Sequence, residues 1–524
     1  MKKTTVFLCV ILVLALLPAT AAGAASWADD AMKNLTERKI IDELPENPGA
    51  PITREAFCVM LAKAALHRTG ASTTLTDPAD ANIFADTDEI KSENIPYIMY
   101  LFDQRILTGA MVNGERHMLP GSLLTRQDAA AFLGRWLGLD PERNTDSATA
   151  FIDNGELSNY ARSIVYQLAD MGIISGYPNG SFRPRNNISY AETSALIHKT
   201  MNGKLLLSYF GDGDLGNADG YAFETRFALP SGLCFDNNGN LIVFDTFNAS
   251  VKRIDKNATT ILGFSQVIDD FGFVMPKYHD DVRASALFGR PTDGVTAPNG
   301  DLFIVDSANH AIRLLRDDIV YTFAGGTQGY ADGSKGTVRF NNPTAIAIDK
   351  NGNLIVADTL NHAIRRITPN GVVSTVAGRP GTAGNADGRG SAALFNDPSG
   401  IAVDTNGVIY VADTGNHLIR KIENGNVTTI AKNTEFDSPR GLYWAEGVLF
   451  IADMGNHTVK ALTANGNVIT VAGTGSPGDA DGSPGNAMMN RPSAVVYKNG
   501  VLFIADTRNN KIKTVWLDAK SLNE

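Results

Sequence analysis

The stretch Asn342–Gly378, NPTAIAIDKNGNLIVADTLNHAIRRITPNGVVSTVAG, decides the reading of most of this chain. Four short β-prone runs lie in it, at 345–348, 354–357, 364–367 and 372–376, with turn residues between them. Asn351-Gly352 and Asn370-Gly371 are tight-turn signals, because Gly accepts the positive φ that such turns require. The stretch therefore reads as a four-stranded antiparallel meander.

The unit recurs six times between about Pro230 and the C-terminus. Each copy carries the phrase Asp-x-x-Asn, at Asp245/Asn248, Asp306/Asn309, Asp358/Asn361, Asp413/Asn416, Asp453/Asn456 and Asp506/Asn509. The interval is longest between Asp245 and Asp306 and shortest between Asp413 and Asp453, so the strands are constant and one connecting loop varies. Four of these loops end in Ala-Asp-Gly, at 218–220, 331–333, 386–388 and 480–482, which reads first as a turn. Asp212, Asp214 and Asp219 offer calcium an alternative, but their spacing is not that of an EF-hand loop and the sister loops lack the first two carboxylates.

The chain ends argue for closure. The sixth copy stops after its third strand, Lys511–Trp516, while Leu205–Gly211, just ahead of the first copy, has the composition of the missing fourth. An N-terminal strand completing the last sheet would close a ring and remove its exposed edges. The expectation is an all-β six-bladed propeller over 204–524. Val411-Ala-Asp-Thr-Gly-Asn-His-Leu-Ile-Arg-Lys-Ile422 closely resembles an NHL repeat. That resemblance implies a ring with binding surfaces on its faces and no single activity, since such propellers serve as ligand-binding modules, sensor ectodomains and occasionally lyases.

Three columns of residues repeat with the blades. His310, His362, His417 and His457 follow the Asp-x-x-Asn phrase, where a hydrogen-bonded structural role fits better than metal, because equivalent positions are spread around the ring. The aspartates of the phrase are expected to accept backbone N–H groups in their own turn. Lys252, Arg313, Arg365, Arg420, Lys460 and Lys513 form a basic column, read as pairing with acidic neighbours between blades rather than as an electropositive ring for an anionic glycan. The insertion Gly263–Arg290, with His279, Asp280 and Asp281, is the irregular feature with room for an added site.

Ahead of the ring, 25–201 reads as three copies of helix, turn and helix. The third runs from Phe151-Ile152-Asp153 through a helix near 160–171, stopped at Gly172, to a turn-rich connector and a capping box of Ser189 and Glu192. Phe84-Ala85-Asp86 leads into the second copy and Trp27-Ala28-Asp29 into a worn first one. These segments resemble S-layer homology (SLH) repeats. The resemblance implies an all-α, pseudo-threefold domain that holds an exported protein non-covalently to a secondary cell-wall polysaccharide, with the Arg of a Thr-Arg phrase contacting an acidic sugar. By position that role falls to Thr53 and Arg54 and to Thr125 and Arg126, with Trp27 as an apolar face for a sugar ring. The third copy has Tyr190 in place of the Arg, and the first lacks the glycine-rich connector.

Residues 1–24 carry Lys2 and Lys3, an apolar run from Val6 to Leu17 and a small-residue exit, the pattern of a cleavable export signal. No later stretch is apolar for the roughly 20 residues that span a bilayer. With 46 basic against 56 acidic residues and a net charge of -10, nucleic acid is not an expected partner. Cys58 and Cys234 lie in different regions and are read as free, buried thiols. No catalytic residue, metal or cofactor is assigned. The reading is a cell-surface protein whose first domain binds wall polysaccharide and whose propeller binds a protein, peptide or glycan. The alternatives are an extracellular metal-dependent lyase or hydrolase, with His279 a candidate ligand, and a structural component of the surface layer.

Overall fold

The computed structural model describes residues 27–69, 83–139, 141, 151–203, 205–255, 257–263, 277–334 and 336–523. The proposed export signal lies outside them, as does 264–276 of the insertion. Two compact units divide between Gly203 and Lys204.

In the first unit, helices run over Asp29–Glu37, Arg54–Thr69, Ile95–Asp103, Arg126–Leu137, Asn159–Asp170 and Tyr190–Asn202. The segments that precede three of these helices are tied to one another in a cycle. Ile52 N donates to Ile188 O at 2.9 Å, Ile188 N to Leu124 O at 2.9 Å, and Leu124 N to Ile52 O at 3.2 Å. All three side chains are buried, so the apolar residue before each cap is a core residue. Ser189 and Glu192 form the expected capping box, and Thr125 accepts from Asp128 N. The unit is not purely helical: Ala110–Val112 pairs with Glu115–His117 as a small hairpin. The two Phe-x-Asp phrases have a common purpose. Asp86 accepts from the N–H groups of Met118 and Leu119, and Asp153 from those of Phe182 and Arg183, all at 2.7–2.8 Å. Each aspartate thereby pins the connector that follows its helix.

The second unit is a six-bladed β-propeller. Blade three shows the pattern: Pro343–Ile348, Leu354–Asp358, Ala363–Ile367 and Val373–Ala377 pair in chain order, antiparallel. Blade six takes Pro492–Lys498, Val501–Asp506 and Lys511–Trp516 and is completed by Leu206–Phe210, with Phe210 opposite Ile512 and Leu206 opposite Val515. The ring thus closes with the strand expected from the chain ends.

The core lies between blades. Ala345, Ile355 and Ile364 of blade three pack on Ile401, Ile409 and Val411 of blade four, with Phe395 from the intervening loop among them. That Phe belongs to a column three residues ahead of each leading proline: Phe227, Phe288, Phe340, Phe395, Phe436 and Met489, all buried. The conspicuous Val-Ala-Gly ending also has a steric cause, because a Cβ on Gly378, at φ +96°, would lie 2.5 Å from His362 O.

Candidate functional site

In the first unit, a cavity of about 190 Å³ gathers Trp27 and Asp30 with Arg126, Phe182, Glu192 and Lys199. Arg126 is buried and opens its helix, which aims the guanidinium back over the connector of the third copy. Its Nε donates to Phe182 O at 2.9 Å and its Nη1 to Glu192 Oε1 at 2.6 Å, between the rings of Tyr177 and Phe182. The chain therefore brings Trp27 and Arg126 to one site. Arg54 stands apart from them, stacked 5.1 Å over Phe132, and its Nε is buried without a hydrogen-bond partner. Thr53 and Thr125 are helix caps, accepting from Ala56 N and Asp128 N. Tyr190, at the missing Arg position, is raised in pKa by burial.

In the propeller, the basic column is structural. Lys252, Arg313, Arg365, Arg420 and Lys513 have fully buried side chains; all five pair with an aspartate of the loop that leads into their blade, and all but Lys252 also with the Asp of the Asp-x-x-Asn phrase beside them. Arg365 is the pattern. Its Nη1 reaches Asp358 Oδ2 at 2.6 Å and its Nη2 reaches Asp332 Oδ1 at 2.6 Å, while Tyr330 and Phe340 cover its two faces at 4.7 and 5.2 Å. Such a cation has no surface to offer a glycan.

The Ala-Asp-Gly phrases are accordingly latches and not tight turns. Asp219, Asp332, Asp387 and Asp481 each bind the buried cation of the blade they enter. The following glycine extends the sheet, as where Gly333 bridges Val373 and Gly220 bridges Ala258. Asp212 and Asp214 are taken up by Arg226, so the cluster read as a calcium alternative is an ion-pair network. In the insertion, Asp280 is the latch of blade two, accepting from Arg313 Nε at 3.0 Å and Thr322 N at 2.8 Å. His279 is exposed beside Asp281, and no cluster of three metal-ligating side chains occurs among the described residues.

At Lys252 and at Arg420 the two carboxylates are driven apart. Burial pushes Asp245 up to about 7 and raises Asp413. Burial also works against ionisation of Asp219 and Asp387, but hydrogen bonds from Lys252, Thr260, Thr429 and Arg420 outweigh it and hold both below the ordinary range. In these two blades the loop aspartate thus supplies the countercharge.

The histidine column joins blades. His310, His362, His417 and His457 sit at φ +53° to +57°, and each Nδ1 accepts the N–H of the residue before the next leading proline, at 2.9–3.1 Å. Asn510 does the same for Leu229 across the closure, at 3.0 Å. An accepting Nδ1 must be unprotonated. Burial lowers the pKa of His310 and His457 from the ordinary 6.5. A lowered value means that their contribution is complete above 6.5 and is lost as pH falls from there toward the lowered values. Thermal melts between pH 7.5 and 5 are expected to show this decline. The double variant His310→Asn/His457→Asn, which copies blade six, is expected to flatten it. An identical slope in the variant would remove histidine as the cause.

Cys58 and Cys234 are buried and unbridged, and burial pushes the Cys58 thiol up to about 12. Sequence reasoning did not single out Arg440 or Asp293, which lie in an axial channel of about 290 Å³ lined by the first strands of all six blades. The signal was present as the one Pro-Arg among five Pro-Ser or Pro-Thr pairs that lead those strands.

Fold and geometry define a six-bladed propeller protein with a separate, mainly helical unit whose connectors are pinned by aspartates. A family model for the S-layer homology domain matches residues 155–194, and one for the NHL repeat matches 340–367 and 395–422. The chain carries an SLH domain and NHL repeats.

Among curated proteins, it is 49% identical over 92 residues to NHL repeat-containing protein 2 of Gallus gallus, which is 17% of this chain and 12% of that one. It is 24% identical over 178 residues to the amylopullulanase of Thermoanaerobacterium thermosulfurigenes, covering 33% of this chain and 9% of the enzyme. The chain spans at most about a quarter of the first curated relatives it matches, including 26% of Protein SUPPRESSOR OF QUENCHING 1 of Arabidopsis thaliana. Among solved structures, it is similar to an auxiliary nutrient binding protein from Bacteroides ovatus, at TM-score 0.45 and 15% identity over 60% of this chain and 76% of that one. A gluconolactonase from Xanthomonas campestris matches at TM-score 0.42 and 14% identity over 61% and 92%. Neither likeness carries an activity to this chain.

Proposed function

We propose that this is an exported surface protein in which residues 25–201, a pseudo-threefold SLH domain, hold the chain non-covalently to a secondary cell-wall polysaccharide. Residues 204–524 then display a propeller that binds a protein, peptide or glycan outside the cell. The observation that carries this reading is the cavity where Trp27, Arg126 and Lys199 converge. An indole face beside Lys199 and the remaining Nη2 of Arg126, with Asp30 and Glu192 in the same wall, suits an acidic sugar whose ring stacks while its carboxylate meets the cations and its hydroxyls meet the carboxylates. The cyclic hydrogen bonds through Ile52, Leu124 and Ile188 support the threefold arrangement, and the SLH match at 155–194 supports the wall as the partner. No helix of the described residues is long and apolar enough to cross a membrane.

Co-sedimentation with purified cell-wall sacculi tests the reading. Wild type is expected to pellet with intact walls and not with walls stripped of the polysaccharide. Trp27→Ala and Arg126→Ala are each expected to lower the affinity at least tenfold, about 1.4 kcal/mol, which is on the scale of a charge-assisted hydrogen bond. Because Arg126 also ties Phe182 and Glu192, the melting temperature of each variant is measured alongside. Equal retention by wild type and both variants would sink the reading. Arg54→Ala is expected to affect retention less, since Arg54 lies outside this cavity.

A further inference from the structure

A belt of hydroxyl groups around the axial channel is interrupted at one blade. After the leading proline, five first strands carry Ser231, Thr292, Thr344, Ser399 and Ser493. Four of these hydroxyls donate to the backbone carbonyl of the matching residue in the next blade: Ser231 to Thr292, Thr292 to Thr344, Thr344 to Ser399 and Ser493 to Ser231, at 2.9–3.3 Å. The belt therefore runs from blade six through blade four. Blade five has Arg440 instead.

Arg440 is handled unlike the other cations of the ring. Arg313, Arg365 and Arg420 each touch two carboxylates. The Arg440 guanidinium makes no hydrogen bond or ion pair with any described residue, and the single charged group that acts on it is the Asp293 carboxyl. Asp293 lies on the first strand of blade two, three blades away and so across the axis, where its Oδ2 accepts from Ile346 N at 3.1 Å. Arg440 and Asp293 are the two charged residues in a channel lining that is otherwise hydroxyl, backbone and apolar. Arg440 is half-buried in the channel wall, so its guanidinium is partly withdrawn from water with one carboxyl across the axis as its countercharge, which leaves its N–H donors available to a ligand in the channel.

We propose that the axial channel binds a small hydroxycarboxylate, its carboxylate held by the Arg440 guanidinium and a hydroxyl held by the Asp293 carboxyl on the opposite wall. A guanidinium presents parallel N–H donors that fit a planar carboxylate in two places at once. The volume of about 290 Å³ admits a molecule of monosaccharide size. Burial pushes the Asp293 carboxyl up to about 7, so near neutral pH it both donates to a hydroxyl and spares a bound anion a full opposing charge. The inference concerns the propeller alone and is independent of wall anchoring.

Isothermal titration of the full chain with D-gluconate and D-glucuronate, with D-glucose as the neutral control, tests it. The expected result is saturable binding of at least one acid, no binding of glucose, and at least a tenfold loss of affinity in Arg440→Ser. That variant restores the residue type of the belt and is expected to melt no lower than wild type. Arg440→Gln keeps the bulk, removes the charge and is expected to lose binding equally, so it carries the test if the serine variant folds poorly. Failure of wild type to bind either acid, equal binding of glucose, or unchanged affinity in the Arg440 variants overturns the proposal.

Discussion

The double variant Leu206→Ala/Phe210→Ala is expected to destabilise the propeller by about 5–10 kcal/mol, the sum of a buried Leu and a buried Phe truncation. Leu206 packs in the core between blades five and six, with Phe450 and Ile504, while Phe210 packs between blades six and one, with Phe227 and Leu233. The two side chains sit in separate clusters, so their effects should nearly add. Total stabilities of domains lie at roughly 5–15 kcal/mol, so a loss of this size comes close to unfolding the ring. The closing strand also supplies blade six with its latch: Ser208 N donates to Asp481 Oδ2 at 2.9 Å, as Thr375 N does to Asp332 in blade three. Urea unfolding followed by tryptophan fluorescence should show the propeller transition moving to much lower denaturant, or vanishing at 25 °C. A shift worth less than about 2 kcal/mol, below the range for one large truncation, would mean that the ring does not depend on this strand.

Asp358→Ala should cost about 3–5 kcal/mol, because it removes one partner of a buried pair and leaves the other charged. Its carboxylate accepts from Asn341 N, Asn361 Nδ2 and Arg365 Nη1, and neither it nor Arg365 is exposed. Asp332→Ala removes the other carboxylate of Arg365, which is 41% exposed. Water can then solvate part of the loss, and an effect nearer 1 kcal/mol is expected. The ratio between the two is the informative quantity. Equal losses by chemical denaturation would show that the burial difference does not set the energetics, and would reverse the assignment of Asp358 as the deeper anchor.

The fold of the propeller was largely legible in the sequence. Meander, copy number and closing strand all followed from local patterns, since alternating apolar runs and Asn-Gly turns act over a few residues and repeat. The destinations of long side chains were less legible. The basic column was expected to pair with acidic neighbours between blades, and Arg365 does meet Asp332 in the loop between blades two and three, but it also turns to Asp358, seven positions back in its own blade. Whether Ala-Asp-Gly is a turn or a latch depends on which sheet edge that loop meets, and no local pattern encodes this. The insertion around His279 showed the same limit, because Asp280 proved equivalent to the latch aspartates of the other blades.

The sequence of this protein by itself determined what is local and periodic: six repeated meanders, a helical unit of related segments, the caps at Thr125 and Ser189, and a ring completed by Leu206–Phe210. Tertiary structure alone decided which polar groups are consumed by the architecture and which are left over. Closing the ring buries Arg365 among partners while bringing Arg440 and Asp293, distant in the chain, to opposite sides of one axis. Packing the helices places Trp27 beside Arg126 and leaves Arg54 apart. The physical reason is that burial and the distance between charges depend on the closed assembly, whereas strand, turn and cap preferences are properties of a few consecutive residues.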